Sequence, residues 1–312
     1  MKFNFVENRK WFYIFSAILI VLSVISFAVK GFQQDIEFSG GTVIDMTLPV
    51  DVDNVIIEGI VKEFAPNSEP RVQKSERRDE EGNIISSGIS ISSNALEEDV
   101  KDQIITKIGE TYAIENINEL ATFRTVKPTF GDEMKSRAVR ATIIAIIAII
   151  LYIGFAFRKA GGFSAGITAA LALVHDLIIM CAVYSLCGFP LNTTFVAALL
   201  TILGYSVNDT VVVYDRIREN QLLHRKMDDK ELISMSISQS VRRTIFTSVS
   251  VTVALALIFG FSAWYKVSSM QRFALPLMVG MIIGTYTSLC LASNLWYDWR
   301  RLTNSGNKKA KK

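Results

Sequence analysis

GGFSAGITAALALVHDLIIMCAVYSLCGFPLNTTFVAALLTILGYSVNDTVVVY, residues 161–214, holds no Lys or Arg and only two acidic residues, Asp176 and Asp209. An apolar helix needs about 17 to 25 residues to cross a bilayer core of roughly 30 Å, so this stretch is too long for one crossing. It breaks at 187–192, Cys-Gly-Phe-Pro-Leu-Asn, and reads as two spans joined by a tight turn. Outward from it, 11–29, 141–157, 244–265 and 273–297 qualify on length and content, giving six transmembrane helices. The 312 residues are 50% hydrophobic yet 20% charged, which segregates lipid-embedded from soluble regions along the chain.

Orientation follows from where Lys and Arg fall in the short connections, not from the net charge of +3. Lys2, Arg9 and Lys10 precede span one, and Arg158 and Lys159 lie between spans two and three. Arg216, Arg218, Arg225, Lys226 and Lys230 lie between four and five, and a basic tail at 300–312 follows six. The positive-inside rule puts all four segments, and so both termini, in the cytoplasm. The expected division is 1–30 as N-terminus and first helix, 31–137 as an extracytoplasmic domain, 138–299 as the bundle of helices two to six, and 300–312 as the tail. The 19 uncharged residues of span one exceed the roughly 7 to 15 of a cleaved signal, so it reads as an uncleaved anchor. Cys181, Cys187 and Cys290 sit in or beside apolar spans, and neither a disulfide framework nor a metal site is implied.

The outer segment is long enough for a core of its own. Residues 36–48 read as a strand, and 52–65 as a helix with Val55, Ile56, Ile60 and Phe64 as its apolar positions. Residues 71–77 and 84–92 read as strands paired around a Glu81-Gly82-Asn83 turn. Asn94 reads as the cap of a second helix running to Tyr112, and 121–126 as a last strand. The order βαββαβ is a ferredoxin-like split unit, so the fold class is an α-helical integral membrane protein with an inserted α+β domain. That fold hosts many functions and identifies none. Without paired carboxylates in a pocket, a nucleophile with a histidine partner or a phosphate loop, no enzymatic activity and no cofactor are expected. Gly40 and Gly41 precede no helix that would hold an anion, and they read as a bend. The basic run 71–78 is answered by Asp79, Glu80 and Glu81 with no aromatic interleaved, which reads as a solvated hairpin and not as a nucleic-acid surface.

Ionisable groups inside a span cost several kcal/mol unless buried in protein or water, so each is a functional candidate. Asp176 lies near the middle of span three beside His175, Asp209 follows Asn208 in span four, and Arg243 opens span five. Tyr205 and Ser206 precede Asp209 by one helical turn, while Thr247 and Ser250 share a face with Arg243, and Tyr205, Asn208 and Thr247 read as supporting polar groups. If spans four and five are neighbours, Asp209 and Arg243 can pair as a proton switch. Pairing favours the carboxylate, and separation in a low dielectric favours the protonated acid. Each charge moved down 100 mV yields roughly 2.3 kcal/mol. Competing readings stand beside these: Arg242 and Arg243 as positive-inside anchors, Asp209 as a static helix–helix hydrogen bond, His175 as a packing residue. Gly280 and Gly284, four apart, read as a close helix contact.

GYSVNDTVVVYDRIREN, from Gly204 through Asp215 and Arg216 to Asn220, is similar to the signature of the SecD/SecF family of protein-export subunits. FSGGT at 38–42, His175-Asp176 and RTIFTS at 243–248 match further family motifs in the same order. The resemblance implies half of a resistance-nodulation-division-like membrane fold in a bacterial inner membrane. It also implies partnership with SecD, the SecYEG channel and YajC, with unfolded preproteins as cargo. An H+ or Na+ gradient would drive late translocation after an ATP-driven motor has pushed the preprotein in. By the same resemblance Asp209 and Arg243 carry protons and drive the outer domain, and Asp176, a recurrent family position, is read with them as an ion- or proton-coupling residue. The SecD half is missing from the chain. Two rival functions remain: half of an ion-coupled small-molecule efflux pump, and a passive assembly subunit of the translocon.

Overall fold

In the computed structural model, which describes residues 4–66, 68, 70–78, 84–158 and 162–309, the chain opens with an apolar helix, Arg9–Lys30 (α1). A single helical turn, Ile36–Ser39 (α2), leads into strand Gly41–Leu48 (β1). There follow helix Asn54–Phe64 (α3), strands Arg71–Arg78 (β2) and Ile84–Ser93 (β3), helix Glu98–Tyr112 (α4), the turn Ile117–Leu120 (α5) and strand Ala121–Val126 (β4). The chain then returns through Pro128–Ala156 (α6), Gly162–Cys187 (α7), Thr193–Leu223 (α8), Asp229–Trp264 (α9) and Ser268–Tyr286 (α10). The last of these runs through a π-turn, Thr287–Ala292, into Ser293–Lys309 (α11). Among the described residues six stretches are long and apolar enough to cross a membrane: α1, α6, α7, α8, α9 and the continuous rod Ser268–Thr303. Helices satisfy every backbone polar group internally, as a hydrocarbon core requires.

The sheet is antiparallel throughout, in the order β2-β3-β1-β4, with Ile44 opposite both Ile91 and Phe123. One face buries Ile44, Met46, Leu48, Ile89 and Ile91 against Ile57, Ile60 and Val61 of α3 and Ile104, Ile105 and Ile108 of α4. Three local expectations are corrected here. The strand expected over 36–48 starts only at Gly41, because Asp35 accepts from the Ile36 amide and caps a helical turn before it. On α3, Val55 and Ile56 point outward and Ile57 and Val61 inward, because the helix begins at Asn54 and 57, 60, 61 and 64 recur at helical spacing. The second helix starts at Glu98 with Glu97 as its N-cap, not at Asn94. The hairpin turn expected at 81–83 lies outside the described residues.

In the bundle, α7 and the α10 rod are the most buried and α1, α6 and α9 the least. Gly280 brings α10 onto α8: a Cβ there would lie 2.2 Å from Cδ1 of Ile202. The sheet domain joins the bundle through a short stem. Leu191 donates its amide to Gln33 O (2.8 Å) and accepts at its own carbonyl from the Asp35 amide (3.0 Å). Glu37 then takes the Thr193 amide at 2.9 Å, and the Thr193 hydroxyl as well, at the first turn of α8. A carboxylate here complements both the unpaired amides and the positive end of the helix.

Candidate functional site

Helix α8 turns Ile202, Ser206, Asp209, Thr210, Val213 and Ile217 into the bundle and leaves Gly204, Asn208 and Asp215 exposed. Asp209 is 2% exposed, and its Oδ2 has no hydrogen-bond partner among the described residues. Two groups on α9 act on this carboxylate, the charge of Arg243 and the hydroxyl of Ser248. Ser248 is itself hydrogen-bonded to Thr285 on α10.

The pairing expected between Asp209 and Arg243 does not form among the described residues, and Arg243 is exposed. Helical phase gives the reason. On α9 the buried hydroxyls recur every four residues, at Ser236, Ser240, Thr244 and Ser248, and that stripe turns inward. Arg243 and Thr247 each precede a member of that stripe by one position, Ser250 follows its last member by two, and all three are exposed. The Thr247 hydroxyl satisfies itself on Arg243 O (3.1 Å) and Thr244 O (2.9 Å), and Ser250 on Phe246 O (2.8 Å). Among the described residues Oγ1 of Thr244 is buried without a partner, as is Oη of the half-buried Tyr205. Asn208, expected as a supporting polar group, sits on the exposed face of α8 and not beside the carboxylate.

Asp176, 1% exposed on α7, anchors a second cluster. Its Oδ2 accepts from the Ser206 hydroxyl on α8 (2.7 Å) and the Thr287 hydroxyl on the π-turn (2.9 Å), and Oδ1 lies 3.4 Å from Nδ1 of His175. Nε2 of His175 is buried and has no partner among the described residues. Gly284 faces the same place: a Cβ there would lie 3.4 Å from Ser206 and 3.7 Å from Oδ2 of Asp176. Thr287 escaped the sequence reading because nothing in Thr-Tyr-Thr-Ser marks a π-turn.

The remaining motif residues hold the architecture around these carboxylates. At the far end of α8 Asp215 pairs with Arg218 (2.5 Å), and Arg216 bonds Glu219 (2.6 Å) and Gln239 of α9 (2.7 Å). Asn220, four residues after Arg216 and so on its face, reaches Ser236 (2.8 Å) and Gln239 (2.9 Å). Gly40 and Gly41 have φ of 75° and 148°, and added Cβ atoms would lie 2.7 Å from Pro128 and 2.3 Å from Ser93 O. The glycine pair is thus a bend where the chain enters the sheet domain, pressed between the start of α6 and the end of β3.

Comparison with known proteins agrees with this architecture. Residues 106–302 match the family model described as protein export membrane protein SecD/SecF, C-terminal. The protein translocase subunit SecF of Petrotoga mobilis is 36% identical over 294 residues, covering 93% of each chain. That of Haemophilus influenzae is 33% identical, over 95% of this chain and 85% of its own. The crystal structure of SecDF from Thermus thermophilus superposes with a TM-score of 0.78 at 29% identity, over 96% of this chain and 39% of that one. A SecDF structure in a super-membrane-facing form gives 0.70 at 28% identity. Six apolar helices, the two buried carboxylates and these likenesses together make the chain a multi-pass membrane protein of the SecD/SecF family of protein export membrane proteins.

Proposed function

We propose that the chain is the SecF-type subunit of a preprotein translocase, acting with a SecD partner and coupling an H+ or Na+ gradient to late translocation through SecYEG. The observation that carries this reading is Asp209: a carboxylate wholly inside the bundle, acted on by Arg243 but not paired with it, with one oxygen left unbonded. A static helix–helix strut would have its oxygens satisfied. A carboxylate whose counter-charge stands off is suited to binding and releasing a cation.

A SecD partner is supported from two sides. In the Thermus thermophilus SecDF chain the matched part is 39% of a longer polypeptide. The exposed faces of α8 and α9 also carry Asn208, Arg243 and Thr247, polar groups that hydrocarbon does not favour and a second membrane half would cover. The positive-inside rule supports a reading with both termini in the cytoplasm, and the family likeness one in which the membrane is a bacterial inner membrane. Residues 31–137 then form the outer domain, 138–299 the bundle and 300–312 the cytoplasmic tail. The sheet order β2-β3-β1-β4 with α3 and α4 on one face supports reading that outer domain as a ferredoxin-like unit. YajC and unfolded preproteins complete the set of partners in this reading, which assigns the chain no enzymatic activity of its own.

The test is release of a preprotein from vesicles holding the chain, its SecD partner and SecYEG, with and without an imposed ion gradient. Asp209→Asn keeps the volume and removes the charge, so the complex should assemble and gradient-dependent release should fall to the level seen without a gradient. Equal release by the two proteins would make the chain a passive assembly subunit.

A further inference from the structure

Hydrogens can be counted at Asp176. Ser206 and Thr287 have one hydroxyl hydrogen each, and both oxygens lie within hydrogen-bond distance of the same carboxyl oxygen, Oδ2. Ser206 has no other acceptor among the described residues. Thr287 has two: Ile283 O at 3.1 Å and Gly284 O at 3.0 Å, the back-bonds a helical threonine ordinarily makes.

We propose that Asp176 is a second proton-binding site, separate from Asp209, which Ser206 and Thr287 hold hydrogen-bonded in both its charged and its neutral form. As a carboxylate, Oδ2 accepts from both hydroxyls. When a proton from water is bound at Oδ2, the acid donates it to Oγ1 of Thr287, still accepts from Ser206, and the Thr287 hydrogen turns back to the carbonyl of Ile283 or Gly284. Release reverses the same rotation. In neither form is a hydroxyl hydrogen or Oδ2 left unsatisfied, and no heavy atom has to move. Burying a carboxylate costs several kcal/mol, so a site that also holds the neutral acid lowers the cost of keeping Asp176 there.

The surroundings fit this use. His175 is the one titratable side chain among the described residues whose charge acts on Asp176; α8 presents Ser206 to it, and α10 with the π-turn presents Gly284 and Thr287. Thr287 is the first residue of the π-turn, and such turns recur at functional sites. Proton binding at Asp176 therefore changes which carbonyls of α10 are bonded where the helix changes its winding. The inference stands whether or not Asp209 couples export.

Infrared difference spectroscopy of the full chain in lipid vesicles, titrated over pH in an Asp209→Asn background, tests it without relying on export. A carboxylic C=O stretching band should grow as pH falls and be missing after Asp176→Asn. Thr287→Val should keep the band but move it to higher frequency, because the acid loses its acceptor. Superimposable titrations with and without Asp176→Asn would overturn the proposal, and so would an Asp176 band that does not change with pH while the protein stays folded. Should Asp176→Asn fail to fold, Ser206→Ala and Thr287→Val carry the test, and a band unmoved by both overturns it.

Discussion

Gly41 and Gly59 are the same residue under opposite constraints. Gly41 has φ of 148° and a carbonyl 2.3 Å from where a Cβ would stand, whereas Gly59 lies within α3 with open space around it. Gly41→Ala should therefore destabilise the protein by about 1 to 3 kcal/mol. Gly59→Ala should stabilise it by roughly 0.5 to 1 kcal/mol. Thermal unfolding of the detergent-solubilised protein should show midpoints moved in opposite directions, and a Gly41→Ala midpoint equal to wild type would refute the strained-bend reading. At this scale the sequence was informative about charge and uninformative about phase. Asp176 and Asp209 stood out because a carboxylate in an apolar run has few reasons to be there. That Arg243 would face away could not be read, since 243-247-250 and 244-248 are both helical stripes of polar residues. Only the packing of α9 against its neighbours chooses between them.

At the scale of elements, the stem on α8 is the joint between sheet domain and bundle. Glu37→Ala removes an acceptor for the first amide of α8, a loss of about 1 kcal/mol, and should raise protease cleavage within 31–40 while leaving the bundle folded. Glu37→Gln keeps an acceptor oxygen and should stay largely protected; equal cleavage of both variants and wild type would show that the contact does not hold the stem. The six spans were legible because twenty apolar residues in a row have one physical outlet. The stem was not. A carboxylate from 36–39 capping a helix that begins at 193 is a long-range contact with no local signature. The Asp35 cap that turned the start of the expected strand into a helical turn was visible in sequence but outweighed by the apolar residues around it.

For the whole molecule, the chain exposes in its spans a polar strip where a lone bundle would show only hydrocarbon-compatible side chains. With Cys181, Cys187 and Cys290 replaced, a cysteine introduced by Asn208→Cys should crosslink to the SecD partner in membranes. One introduced by Leu151→Cys, on the apolar outer face of α6, should not. Crosslinking from 151 but not from 208 would put the partner on the wrong side of the bundle.

Helix α8 has 31 residues and so a length of about 46 Å. It carries the stem contact at one end, Asp209 near its middle and the Arg216 and Asn220 bonds to α9 at the other. The rod has no Pro and no break along that length, which makes it a lever with a fixed handle. Pivoting by about 10° on its far end, it would carry Thr193 sideways by roughly 8 Å, several times the width of a hydrogen bond. A rotation that hardly moves the residues beside the pivot is then large enough, at the far reach of the arm, to lift a domain off its seat.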